Sequence, residues 1–256
     1  MPSSSIATSA ALAAHDCFRA SDGTSPHARK APCGPHAKAC CARCYADAQA
    51  DAERSSVRVL PSLLSASDVA ECLEAGEVWP HMCELGDCHG GPCAGLLCAQ
   101  LEGAAHDVAF SEQHIMLYLH RERFLQQNWP ALWRTILRSM SSPPLEWGVE
   151  PEAELHVRCI ELHSYAPGGG LLAPAHRDNG SIVTLTVLLS EPGAVHGGEF
   201  TTLLGGSPVM HRVEKGGAIL FRSEKVHHVQ TVTRGIRKSL VVELWSAPEN
   251  TTDRFR

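Results

Sequence analysis

The chain has 256 residues and a formal charge of −6, with a pI near 6.2; that is length for one ordinary domain with extensions and a sizeable core. No Lys/Arg run or basic face is evident, which excludes a general nucleic-acid or membrane-surface binder. No stretch approaches the roughly 18 apolar residues of a membrane span.

The start, MPSSSIATSAALAAHDCFRA, lacks the basic region and continuous apolar run of a secretory signal. Asp16, Asp22 and the scarcity of early arginine count against an organellar transit peptide without excluding it. The expected setting is intracellular and cytoplasmic, where the eleven cysteines stay reduced and mostly unpaired.

Residues 1–55 are rich in Ala, Ser, Pro, His and Cys without apolar periodicity, and read as a disordered or loosely ordered extension. Among Cys33, Cys40, Cys41 and Cys44 only Cys41-x-x-Cys44 has a zinc-ligand spacing, and no second pair follows, so incidental thiols are favoured. The ordered domain, 56–248, opens with a short strand at Val57–Leu60. A helix follows over Ser67–Ala75, capped by Ser65 or Ser67, with Asp68 and Glu71 in its first turn.

Over 81–104, Cys83, Cys88, Cys93 and Cys98 recur every five residues among glycines, a period of neither helix nor strand, so a loop is expected. From Arg121 to Met140 the apolar positions Phe124, Leu125, Trp129, Leu132, Trp133, Ile136 and Leu137 follow helical spacing. Pro130 starts a new helix or kinks one there.

After Pro151 the segments 155–165, 181–190, 198–204, 217–222, 227–233 and 237–245 are short, β-branched and separated by Gly/Pro turns. They predict an α+β protein. Its body, about 153–248, is a jelly roll of the cupin kind, with the N-terminal helices covering one sheet and residues 249–256 as a tail.

His176 and Asp178 are two apart, so in an extended segment both side chains point to one side and can share an ion. A later histidine completes a set of two imidazoles and one carboxylate, which leaves three positions of an octahedral ferrous ion open, though alone it allows several metals. His227 and His228 compete for that place. On a strand they face opposite sides, and periodicity does not choose between them.

Ordered motifs surround these residues: His176-Arg177-Asp178-Asn179, Leu189-Ser190-Glu191-Pro192, Gly197-Gly198-Glu199, Gly216-Gly217-Ala218-Ile219-Leu220-Phe221, and His227-His228-Val229 leading to Val232-Thr233-Arg234-Gly235-Ile236-Arg237. From Tyr165 to Trp245 the series resembles the prolyl/lysyl hydroxylase-like (PKHD, prolyl 4-hydroxylase) branch of the 2-oxoglutarate and Fe(II)-dependent dioxygenases. Thr231 departs from that pattern where the branch has proline. The turn between Tyr165 and His176 is longer by two to three glycines, and Leu188 aligns where some members carry tyrosine.

The resemblance implies a double-stranded β-helix with His176, Asp178 and His227 as iron ligands and Arg237 as anchor for the far carboxylate of 2-oxoglutarate. It places Tyr165 near the co-substrate. Thr184 and Thr186, which alternate with Val183 and Val187, are further candidates to line that pocket, with His163 and Asn179 nearby and Trp245 a packing residue. Implied cofactors are Fe(II), 2-oxoglutarate and O2, with ascorbate as accessory reductant. The implied reaction is hydroxylation, first of a prolyl side chain in a protein or peptide, with a small metabolite as the other substrate class. The opposing reading is a non-catalytic, metal-binding cupin-like module.

Overall fold

The computed structural model describes residues 49–50, 52–84, 113–141, 143–144, 147, 149, 154–173 and 175–252. Cys33 to Cys44 and Cys88 to Cys98 therefore lie outside the described residues, as does most of the expected N-terminal extension. No helix among the described residues is long and apolar enough to cross a membrane.

Besides a helical turn at residues 52–54 and two short 3-10 helices, eleven strands and three α-helices make up the described part. They are β1 (Arg58–Leu60), α1 (Ala66–Glu84), β2 (His114–Tyr118), α2 (Phe124–Asn128), α3 (Pro130–Met140), β3 (His156–Tyr165), β4 (Val183–Leu188), β5 (His196–Gly197), β6 (Phe200–Leu204), β7 (Ser207–His211), β8 (Ala218–Arg222), β9 (His227–Val229), β10 (Val232–Arg234) and β11 (Arg237–Trp245). A six-stranded antiparallel sheet runs β1-β8-β4-β11-β3-β2, and a three-stranded sheet β7-β6-β9 faces it, with the pair β10-β5 at one end. Contact between Phe200 and Val229 of the small sheet and Tyr165, Ile219 and Phe221 of the large one closes the barrel interior. The expected α+β architecture with a jelly-roll body is the one observed.

The outer face of the large sheet is a conventional core. Leu185, Leu220, Leu240, Val242 and Leu244 meet Val69, Cys72 and Ala75 of α1 and Leu132, Ile136 and Met140 of α3. Alternation puts every second residue of each strand on this face, and each large aliphatic there contributes about 1.5–3 kcal/mol. Cys72 and Cys159 are free thiols; burial, then Asp68 and Glu71, push Cys72 up to about 12.

Three local outcomes sharpen the sequence reading. Ser65, not Ser67, caps α1, by a reciprocal pair in which the Asp68 amide donates to Ser65 Oγ (3.2 Å) and the Ser65 amide to Asp68 Oδ2 (2.8 Å). That helix runs past Ala75 to Glu84, through Gly76, where a Cβ would lie 2.2 Å from Leu162 Cδ2 and glycine permits the close crossing. Pro130 starts a new helix as residue N1 of α3. At the C-terminal end, the Asn250 amide donates to Val157 O (2.9 Å), so the first residues of the expected tail return to the sheet.

Candidate active site

The first two ligand candidates sit on the loop between β3 and β4, and the third opens β9. Backbone hydrogen bonds lace these segments together: Asp178 N to Ser223 O (2.9 Å) and His227 N to His176 O (3.2 Å). Asp178 Oδ1 lies 3.2 Å from His176 Nε2 and 3.6 Å from His227 Nε2. All three ligand atoms fall within 4.8 Å of one another. His227 and Asp178 are buried, whereas His228, on the other face of β9, is half-buried and lines neither interior cavity. The geometry thus brings together the set that the resemblance named.

Two of the three candidates, His227 and Asp178, are held in a state fit for a cation. His227 Nδ1 lies 3.0 Å from the Lys225 carbonyl, which can only accept, so Nδ1 carries the proton and Nε2 keeps its lone pair for the metal. Burial pushes the His227 imidazole down to about 4, against the pull of Asp178; it is neutral at neutral pH. Burial by itself would raise Asp178, but the adjacent His227 and His176 imidazoles and the Thr184 hydroxyl favour its charged form more strongly and hold the carboxyl well below the usual range.

Thr184 Oγ1 donates to Asp178 Oδ2 (2.8 Å) and shares a 2.8 Å contact with Ser223 Oγ. Its hydroxyl is thus placed to orient the carboxylate, and Thr184, a candidate pocket-lining residue from the sequence, also lines the triad cavity.

The interior divides into two cavities. One of about 30 Å³ is bounded by the triad together with Glu161, His163, Tyr165, Ser239 and Glu243. A second of about 270 Å³ is bounded by Arg237, Leu188, Ile219 and the 211–214 segment; the two share Thr186 and Phe200. Thr186 thus lines both, and Leu188 lies where the missing tyrosine was aligned. Gly197 and Gly198 explain the Gly-Gly-Glu motif. Both have φ near +73°, and a Cβ on Gly198 would lie 2.9 Å from Arg237 Cδ, so glycine leaves room for the arginine.

Arg237 is 5% exposed. Its Nη1 donates to Ser239 Oγ (2.7 Å) and its guanidinium carbon lies 5.8 Å from the Tyr165 ring centre. No carboxylate pairs with it among the described residues. A buried cation without a counter-ion costs several kcal/mol, and a carboxylate-bearing ligand would supply what is missing.

Next to Arg237, Tyr165 OH lies 3.3 Å from His163 Nδ1, and His163 Nε2 lies 3.0 Å from Glu161 Oε2. Asn179 stays in the ligand loop, bridged to Ser181. Trp245 ends β11 half-buried with Arg158 5.7 Å above its ring, a packing position.

Residue-by-residue reading of the sequence missed Glu161, Ser223, Lys225, Ser239 and Glu243. Strand alternation carried a signal for most of them. Cys159, Glu161, His163 and Tyr165 share the inward face of β3, and Arg237, Ser239, Val241 and Glu243 that of β11, in register. Cys159, Glu161 and Glu243 also bring ligand atoms within 4.8 Å. Glu243 there is compensated by Arg158 (3.0 Å) and Ser181 Oγ (2.5 Å).

No family model matches the chain. Over 136 residues it is 28% identical to a PKHD-type hydroxylase of Sphingopyxis alaskensis, an alignment covering 52% of this chain and 55% of that relative. The chain thus spans about half the length of the curated relative it matches. An oxidoreductase of the 2OG-Fe(II) oxygenase family from Burkholderia pseudomallei shares its fold with a TM-score of 0.51 at 16% identity, covering 81% of this chain and 92% of that one. The fold is a double-stranded β-helix like that of this 2OG-Fe(II) oxygenase class neighbour, and two histidines and one carboxylate converge in its interior. Within that class the chain's similarity is to the prolyl/lysyl hydroxylase-like, PKHD-type branch.

Proposed function

We propose that the protein is an Fe(II)- and 2-oxoglutarate-dependent dioxygenase that hydroxylates an unactivated C–H bond, with a prolyl or other side chain of a protein or peptide as the first substrate to test. The observation that carries this reading is the pairing, in one barrel, of the His176, Asp178 and His227 ligand atoms with the buried, carboxylate-free Arg237. Two imidazole nitrogens and one carboxylate oxygen suit ferrous iron and leave positions for a chelating oxo acid and O2.

When bound, iron and 2-oxoglutarate supply oxygen activation, with the co-substrate decarboxylated to succinate as an oxygen atom enters the C–H bond. The chain's own residues do the rest. Lys225 O and the Thr184 hydroxyl orient two of the ligands. Arg237 offers a planar, permanently charged fork to a distal carboxylate, Gly198 gives it room, and the apolar Phe200 and Phe221 keep the triad cavity poor in water.

The hydroxylase name of the Sphingopyxis relative supports the reaction class. Ascorbate, as accessory reductant, is expected to raise turnover, and a reduced, intracellular setting agrees with the free thiols at Cys72 and Cys159. A non-catalytic metal-binding module is the rival; it gives no reason to keep a buried cation without a partner.

Anaerobic Fe(II) with 2-oxoglutarate is expected to give a weak visible charge-transfer band that His176→Ala lacks. No band, or one that survives the substitution, sinks the reading. Succinate formed without a prime substrate reports turnover. A mass-spectrometric search for one-oxygen gains among peptides, against an Asp178→Ala control, identifies what is hydroxylated.

A further inference from the structure

Residues 49–50 and 52–54 form a helical turn that ends against the back of the ligand loops. Lys225, 1% exposed, reaches it: Nζ donates to the carbonyls of Ala52, Glu53 and Ser55 at 3.2, 2.9 and 2.7 Å. Ala52 O also accepts from the Ser55 amide and hydroxyl, and the one ammonium, with three donors, serves all three carbonyls at the end of this helical turn. Beside it, Arg177 donates to the Glu53 carboxylate and to the Glu224 carbonyl. Ala52 and Ser55 are buried by this docking.

The two cations hold strategic places. Arg177 stands between His176 and Asp178. Lys225 precedes His227 by two residues, and its carbonyl receives the His227 Nδ1 proton that fixes the ligand tautomer. A single turn of chain outside the barrel therefore grips both segments that supply ligands. Undocked, it would strip a buried ammonium of three acceptors, a loss that shifts the Lys225 backbone and with it the imidazole.

We infer that Arg177 and Lys225 are positioning residues of the metal centre, and that residues 52–55 complete that centre by clamping its two ligand segments together. This rests on the metal-binding reading above.

The test is Co(II) binding to the full chain, followed anaerobically by d–d absorption and titration, beside thermal unfolding without metal. Lys225→Met and Glu53→Gln are each expected to weaken Co(II) binding about tenfold or more, and less than additively together, because they act through one turn. Arg134→Ala, on an exposed face of α3, is expected to match wild type. Should Lys225→Met fail to fold, Glu53→Gln carries the test, since its carboxylate is 31% exposed. Variants that lose thermal stability yet keep wild-type Co(II) affinity and spectrum overturn the inference and leave the turn a structural strap. A wild-type chain that binds no Co(II) overturns the metal reading itself, and the clamp with it.

Discussion

Leu240, Val242 and Leu244 on β11 face the helices, while Arg237, Ser239 and Glu243 on the same strand face the barrel interior, and all six are buried. Depth is equal and chemistry is opposite. Burial of the aliphatic row is favourable by about 1.5–3 kcal/mol per side chain; burial of the other row is opposed by desolvation unless each charge finds a partner. Glu243 has Arg158 and Ser181, whereas Arg237 has a hydroxyl and an aromatic face. The outward row holds the fold together. The inward row holds one uncompensated charge, Arg237, where the proposed co-substrate would find its partner.

The sharpest way to break this contrast is at the metal ligands. Asp178→Ala is expected to lower Co(II) affinity and succinate formation by more than the roughly 10–100-fold that loss of an outer partner costs, with far-UV circular dichroism unchanged. Metal binding at wild-type strength would show that Asp178 holds no metal.

Arg237→Met and Leu240→Ala test the two faces against each other. Loss of one side of a buried charge pair costs about 2–5 kcal/mol, so Arg237→Met should weaken 2-oxoglutarate binding about thirtyfold or more, read by titration of the charge-transfer band. Its metal-free stability should hold or rise, because an unpaired buried cation gives way to an apolar side chain. Leu240→Ala should do the reverse, losing about 2–5 kcal/mol in urea unfolding while its folded fraction binds co-substrate normally. A stability loss in Arg237→Met as large as that in Leu240→Ala would mean that the arginine is a structural element.

The same contrast explains what was legible in the sequence. Outward rows advertise themselves as Val/Ile/Leu at period two, most plainly in β4 and β11. Three strands escaped, β2, β5 and β7, and the two-residue β5 is too short to show a period. β7 contains Pro208 and lies at the edge of its sheet, where a lost amide is tolerated but the run reads as a turn. β2 finds its partner only in β3, with Met116 opposite His163, a long-range pairing with no local signature.

In the site, the triad was readable because its spacing is local at His176 and Asp178 and its motifs are ordered. Glu161 and Glu243 were hidden inside apolar strands, though the alternation Glu161-His163-Tyr165 was there to see. Arg177 and Lys225 could not be assigned from spacing at all. Lys225 bonds the carbonyls of residues 52, 53 and 55, 170 to 173 positions away, and Arg177 the Glu53 carboxylate, 124 positions away, in a stretch whose composition suggested no order.

Thr184→Val gives the smallest expected effect and separates the two roles available to that side chain. Valine keeps the shape and removes the hydroxyl that donates to Asp178 Oδ2 and meets Ser223 Oγ. Co(II) affinity should fall about tenfold, the lower end for an outer-shell partner. A hydrogen bond to the charged carboxylate lowers its pKa, so its loss must raise that pKa. More carboxyl is then protonated at a given acid pH, and the acid limb of the Co(II)-binding profile should move to higher pH. If the limb stays fixed and only 2-oxoglutarate affinity changes, Thr184 faces the co-substrate, and the carboxylate is oriented by the backbone contact from Asp178 N to Ser223 O without its help.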